Sequence, residues 1–279
     1  MQWWCSATGQ PWTWAWQAYP GVWLFVGLLA SWYWRTVVRS AGPPRGRDLG
    51  WFAAGVLGIW IALDWPVGAL GAGYLATFHT VTYILLSLVA PPCLLLGIPP
   101  AAVRRGLDHR LAGPLIRGVA RPLVALTIFN VVLLLTHVPA IVDGAMSSQL
   151  GALAIDLGWF LGGVALWWPV LAPAPDIGRM GRPMKMAYLF ASTLVPIIPS
   201  AFLTFAEYPL YATYELAPRI FEKMTAQQDQ QVAGLIMKLV GDLPIWFAFG
   251  VIFFRWAKAS EITPPPDHPG SRTPIPSQV

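Results

Sequence analysis

FHTVTYILLSLVAPPCLLLGIPP, Phe78 to Pro100, holds 23 residues and not one Lys, Arg, Asp or Glu. At a helical rise of about 1.5 Å per residue this run reaches roughly 34 Å, enough to cross a hydrocarbon core about 30 Å thick. A surface helix of a soluble protein carries one apolar stripe and one polar face, whereas here apolar residues go all the way round. The stretch therefore predicts a membrane-crossing helix, with bounds set at Gly73 to Ile98. Pro91 and Pro92 lie inside it and predict a bend, because each removes a backbone donor.

Working outward, six further segments have the same character. Upstream are Trp16–Val38 and Leu49–Val67; downstream are Val119–Pro139, Leu150–Leu171, Met186–Phe205 and Val232–Trp256. Pro196 and Pro199 predict a second bend in the Met186–Phe205 span. The whole chain agrees: 56% of its 279 residues are hydrophobic and 11% charged, against about 25% charged in a soluble domain. The expected fold is all-α, a polytopic bundle of seven transmembrane helices over residues 1–258. Residues 259–279, with Pro264, Pro265 and Pro266 among polar neighbours, are expected to be a disordered cytoplasmic tail.

The basic residues orient the bundle. Fifteen of the 18 fall in alternate connections: Arg35, Arg39, Arg45 and Arg47; Arg104, Arg105, Arg110, Arg117 and Arg121; Arg179, Arg182 and Lys185; Arg255, Lys258 and Arg272. Arg219, Lys223 and Lys238 stand on the other side. Lys and Arg collect in short cytoplasmic loops, so the N-terminus is expected outside and the C-terminus inside. That split requires an odd number of spans, as counted. Trp12, Trp14, Trp16, Trp167, Trp168 and Trp256 sit near span ends, where an indole suits the headgroup region.

Topology accounts for the net charge of +5, so nucleic acid is not an expected partner. Cys5 and Cys93 are expected at opposite membrane faces and unbonded to each other. The first sixteen residues hold no Lys or Arg, so a cleavable signal peptide is not expected. The glycines of Ala41–Asp48 make no phosphate loop, and no metalloprotease, nucleophile-elbow or dinucleotide motif occurs. An enzyme is not expected.

In so apolar a chain the polar residues carry the information. His79, His137, Asp143, Asp156, Asp229 and Met237 all fall toward the outer ends of their spans, as do Asp64, Glu207 and Asp242. Ionisable groups in hydrocarbon face a bundle interior or water, which predicts a shallow polar basin at the outer face. Against it stands a plain packed bundle, with each histidine bonded to a neighbour and the acids at loop edges. Two imidazoles and a thioether, His79, His137 and Met237, would suit a soft metal such as copper. Asp143, Asp156 and Asp229 would orient them or add oxygens.

These residues lie in blocks that resemble the CtaG-type cytochrome c oxidase assembly proteins, seven-span proteins of bacterial plasma membranes associated with copper-dependent oxidase maturation. The resemblance covers about three-quarters of the chain, from the second span to the seventh. It is carried by Phe78–Pro100, with His79, Ala90-Pro91 and Leu96-Gly97-Ile98-Pro99; by THVPAIVDGAM, Thr136–Met146; by LWWPVLAP, Leu166–Pro173; by PLYATYE, Pro209–Glu215; and by DQQVAGLIMKLVG, Asp229–Gly241. It implies a multi-pass protein of the bacterial plasma membrane that delivers copper to a haem-copper oxidase or stabilises one. Its partners would be the lipid bilayer and oxidase subunits, with copper as the metal.

Where the family carries another histidine, this chain has Tyr83. Where it carries a Glu-His pair, this chain has Ile155 and Asp156. Lys238 follows Met237 in place of a tryptophan, and its charge would oppose a cation in the basin. These departures favour the alternative, a metal-free interaction subunit of a respiratory or photosynthetic membrane complex. A transporter is the third expectation, kept alive by the proline-broken spans.

Overall fold

The computed structural model describes residues 2–39, 44–110, 112–171 and 180–262, with residues 260–262 as backbone only. Arg179, Arg272, the Ala172-Pro173 end of one family block and residues 263–279 of the expected tail lie outside the described residues.

Among the described residues every regular element is helical. In order they are α1 (Pro20–Tyr33), continued by a π-helical turn (Trp34–Val38), α2 (Gly46–Leu63), α3 (Val67–Gly73) and α4 (Ala76–Ile84). A second π-helical turn (Leu85–Val89) leads to α5 (Ala90–Gly97), α6 (Pro100–Asp108), α7 (Ala112–Val119), α8 (Pro122–Leu135) and α9 (Pro139–Met146). The rest are α10 (Gln149–Leu171), α11 (Arg182–Ser192), α12 (Ile197–Phe205), α13 (Ala212–Glu215), α14 (Ala226–Leu239) and α15 (Leu243–Ile262).

Five helical stretches are long and apolar enough to cross a membrane unaided: Pro20–Val38, Ala76–Gly97, Gln149–Leu171, Arg182–Phe205 and Ala226–Ala259. Two bent pairs raise the number to as many as seven, α2 with α3 at 46° and α7 with α8 at 84°. The second bend shortens the expected Val119–Pro139 span. Pro122 disfavours helical backbone at Arg121, which is extended. The 14 residues of α8 reach about 21 Å.

Proline also shapes the helices from within. Pro91 and Pro92 cannot donate to the carbonyls one turn back, and a π-helical turn occupies that place. Pro196 similarly breaks the α11–α12 span at Thr193–Pro196. There the Thr193 carbonyl takes a hydrogen bond from Lys238 Nζ at 3.1 Å in place of a helical N–H. The last span starts six residues before the expected Val232, because Thr225 and Gln228 form a reciprocal capping box at its head.

The centre of the bundle is α10, packed against α5, α8, α9 and the second π-helical turn, while α4 lies against α3 and α14. α2 packs on α5, α12 on α14 and α11 on α15. Leu28, Phe202, Phe205, Phe247 and Phe254 point outward and exposed, as side chains facing lipid do. Trp14 and Trp16 are also exposed, but Trp167, expected at a membrane interface, is buried in the core.

Candidate functional site

The site is built on the first turns of α4. Its leading N–H groups have no partner inside the helix, and Asp229 of α14 supplies one: its carboxylate accepts from Ala76 N at 2.6 Å and Thr77 N at 3.2 Å. The next residue, Gln230, accepts from Leu210 N at 2.6 Å and donates to the Leu203 and Tyr208 carbonyls. Gly234 lets α14 close on α12, since a Cβ there would stand 2.7 Å from the Ser200 carbonyl oxygen. The Asp-Gln…Gly pattern is thus a latch tying α14 to α4, α12 and the loop between.

One turn into α4 stands His79, and one turn further Tyr83. Trp159 of α10 packs against both, its ring centroid 4.7 Å from that of His79 and 5.5 Å from that of Tyr83. The Tyr83 ring lies 5.6 Å from the His137 ring, edge-on. Tyr214 of α13 closes the cluster 5.6 Å from His79 and donates to the Gly71 carbonyl at 2.8 Å. α13 is docked by Asp143, which accepts from Ala212 N, Thr213 N and the Thr213 hydroxyl at 2.9–3.1 Å. Tyr211 adds a hydrogen bond to the His137 carbonyl at 3.1 Å.

The two imidazoles differ in their bonding. His137 Nδ1 lies 2.7 Å from the Leu133 carbonyl oxygen. A carbonyl only accepts, so Nδ1 carries the proton and the neutral ring keeps its lone pair on Nε2. His79 is 8% exposed, and its Nε2 is buried with no hydrogen-bond partner. A buried polar atom left without a partner costs about 1–3 kcal/mol and marks a place where something else can bind.

His79 lines a small enclosed cavity shared with Cys5, Thr82, Met146 and Asp156. Its volume of about 10 Å³ is the space of roughly one water position. Cys5 and its neighbour Trp4 come from the N-terminal segment, which folds back over the bundle. Trp4 Nε1 donates to Asp156 at 2.8 Å, Gln149 accepts from Trp3 N at 2.7 Å and Trp4 N at 3.2 Å, and Ala7 N donates to the Met146 carbonyl at 3.0 Å. The Cys5 thiol approaches the Leu63 carbonyl at 3.1 Å. Burial, with the Asp156 charge added, pushes this thiol well above its ordinary range, so it stands protonated.

Of the residues singled out by sequence, His79 and Tyr83 pack on Trp159, Asp156 shares the His79 cavity, and His137 meets the Tyr83 ring without lining that cavity. Asp143 and Asp229 are turned to backbone N–H groups. Met237 is buried on α14 but does not line that cavity. Lys238 is turned to the α11–α12 break and paired with Asp242 at 2.7 Å. Among the described residues no three His, Cys, Asp or Glu side chains form a metal-holding group. Sequence reading gave no site role to Trp4, Cys5, Met146 and Trp159. The uncharged Trp3-Trp4-Cys5 run was the available signal for the first two; the others look like ordinary core.

A family model for cytochrome c oxidase caa3 assembly factors matches residues 23–259. The match takes in the first span as well, beyond the three-quarters covered by the motif blocks, and leaves the Cys5 segment outside. Comparison with curated proteins and with solved structures gives no match. The order of helices, the latch at Asp229 and the buried histidines all lie inside the matched stretch, and the chain belongs to the cytochrome c oxidase caa3 assembly factor family.

Proposed function

We propose that this chain assists maturation of a haem-copper oxidase by holding copper(I), as cargo, in the chamber around His79 and His137. The observation that carries this reading is the buried, unpartnered Nε2 of His79, in a ring cluster where a second imidazole, its Nδ1–H committed to a carbonyl, meets the Tyr83 ring. Imidazole, thiolate and thioether suit copper(I); Cys5 and Met146 bring sulfur to the His79 cavity, and the protonated Cys5 thiol would release its proton on binding the metal. Asp156, held by Trp4, is an auxiliary oxygen and Tyr83 a wall of the chamber. Met237 is left as a more distant thioether and Lys238, paired with Asp242, as no obstacle. The work is transfer and stabilisation, which needs no catalytic residue.

In this reading the bent pairs each make one crossing, giving seven, with the N-terminus and chamber outside a bacterial plasma membrane. The grouping of fifteen of the 18 basic residues in alternate connections supports it. Cysteines introduced at Arg47 and Arg121 should react with a membrane-impermeant maleimide only after the cells are opened, and one at Glu207 in intact cells. The reverse pattern overturns the orientation.

Copper(I) titration of the detergent-purified protein against a chromophoric chelator tests the cargo. Replacing His79 and His137 together with alanine should weaken binding by at least about 100-fold, since the loss of second-shell partners alone costs 10–100-fold. Undiminished binding in the double variant sinks the assignment. A second reading, a metal-free interaction subunit, is favoured by the lack of a three-residue metal group among the described residues and by Tyr83 at a family histidine position. It expects stable co-purification with oxidase subunits and no stoichiometric copper by elemental analysis.

A further inference from the structure

The cavity beside His79 has one wall unlike the rest. Among the described residues that line it, Cys5 alone is carried by no helix; the others belong to α2, α3, α4, α9 and α10. Next to this wall lies a second space, a crevice of about 650 Å³ with Gln2, Ser6, Thr8, Tyr19, Ala69 and Tyr74 among its lining. Cys5 borders the cavity and the very next residue, Ser6, borders the crevice, so residues 2–8 form a strap that partitions the two. The rest of the partition is α3, which brings Gly68 to the cavity and Ala69 to the crevice. α3 is clamped to the bundle: a Cβ on Gly71 would stand 2.9 Å from His79 N, and the Gly71 carbonyl is held by Tyr214.

We infer that this strap is the door of the His79 cavity, hinged at Gly9 and opening into the crevice, and that Cys5 moves with it. A space of about 10 Å³ holds roughly one water, so an ion with its carrier ligands enters only if a wall gives way. Parting the helices would break backbone ladders within the membrane. The strap has no ladder to break, since residues 2–19 form neither helix nor strand. It is fastened by discrete bonds: Gln149 accepts from Trp3 N and Trp4 N, Asp156 from Trp4 Nε1, and the Met146 carbonyl from Ala7 N. Water in the crevice can take over such donors when the strap lifts, and segments held this way open at lower cost than core helices. Glycines make its seat: a Cβ on Gly73 would stand 2.9 Å from Ala7 Cα, and one on Gly68 3.1 Å from Cys5 Sγ. At the strap's end Gly9 has a φ of 66° and open space around it. Glycine takes that left-handed backbone without strain, and a few such residues suffice for a hinge. The route this gives copper(I) rests on the function proposed above; the door does not.

With the door closed the Cys5 thiol is buried and protonated, and therefore unreactive. N-ethylmaleimide labelling of the copper-free, full-length protein in detergent, followed at each cysteine by peptide mass spectrometry, reads the opening. Cys5 should react at least about 100-fold more slowly than in denatured protein, yet run to completion. Q149A, which removes the acceptor shared by Trp3 and Trp4, should speed Cys5 about tenfold, and Q149E, which keeps an acceptor, should stay within about twofold of wild type. Cys93 in α5 should keep its rate in all three and reports any general loosening. Equal Cys5 rates in wild type and Q149A, or Cys5 and Cys93 quickening together, overturn the door. So does a wild-type Cys5 that reacts as fast as in denatured protein. Copper(I) uptake from a chelator should also quicken about tenfold in Q149A; an unchanged uptake rate beside a quickened Cys5 overturns the strap as the way in. A protein that takes up no copper while its Cys5 follows the Gln149 series keeps the door and loses the cargo. One that takes up copper while Cys5 ignores that series loses the door and keeps the cargo.

Discussion

Replacing Asp229 with alanine should lower the stability of the copper-free protein by about 2–4 kcal/mol, as expected for a lost helix cap that leaves one buried and one part-buried N–H group without an acceptor. Asp229 is 1% exposed, so water cannot take its place. Its two carboxylate oxygens meet the first two N–H groups of α4, where a negative charge also suits the positive end of the helix. Asparagine keeps one acceptor and should lose about half as much. Heating the detergent-solubilised protein in steps and following the monodisperse peak by size-exclusion chromatography reads the difference directly. The midpoint should fall in the order wild type, D229N, D229A, and in each case without copper. The same midpoint for all three would mean that the carboxylate does not anchor α4 and is free for another role. Because His79 lies one turn beyond Ala76, D229A should also weaken copper(I) binding; that loss would follow from the frayed helix.

What could be read in the sequence was governed by the range of the interaction that decides each feature. The all-helical, lipid-facing character rests on apolar runs of about 20 residues, and the Ala76–Gly97 and Gln149–Leu171 helices fall close to the segments expected for them. The head of α14 was missed because the polar run AQQDQQ, residues 226–231, reads as loop on hydropathy. Its Thr-Ala-Gln-Gln start at Thr225 is a capping-box pattern, so the signal was present and local. The sharp bend before α8 was likewise announced by Arg121-Pro122. In the site, His79 and Tyr83 share a face because they are four apart. The partners of Asp229 and Asp143 were not legible, since they lie 152 or 153 and 69 or 70 residues away. Nor was the return of Trp4 to Asp156 across 152 residues. An acid near a span end looks the same in sequence whether it faces a cation or caps another helix. The family blocks make sense on these terms: the Asp143 block holds the Tyr214 block, and the Asp229 block holds the His79 block.

The second large effect is expected at a residue with no polar chemistry. Gly163 lies in the middle of α10, where that helix meets the second π-helical turn and the start of α5. A Cβ built on it would stand 2.3 Å from the Ser87 carbonyl oxygen, 2.6 Å from Ser87 Cα and 2.8 Å from Pro91 Cγ. None of these neighbours is the loose end of a flexible side chain. Ser87 is the residue whose helical donor is removed by Pro91, and the absence of a side chain at Gly163 is what lets α10 lie against that stretch of backbone. Even alanine must push the two central elements apart. G163A should therefore cost about 3 kcal/mol, the upper end of ordinary overpacking, and G163V more. Gly158, five residues earlier on the same helix, supplies the comparison: its Cβ would meet only Val132 Cγ1 at 3.5 Å, an ordinary contact. G158A removes a glycine from a helix without a clash and should be neutral or slightly stabilising. In the same heating series G163A should melt well below wild type, and G163V should accumulate poorly in the membrane. If G163A and G158A melt alike, α10 does not pack on the proline-bent span as closely as described, and the chamber built on Trp159 one turn away loses its rigid wall.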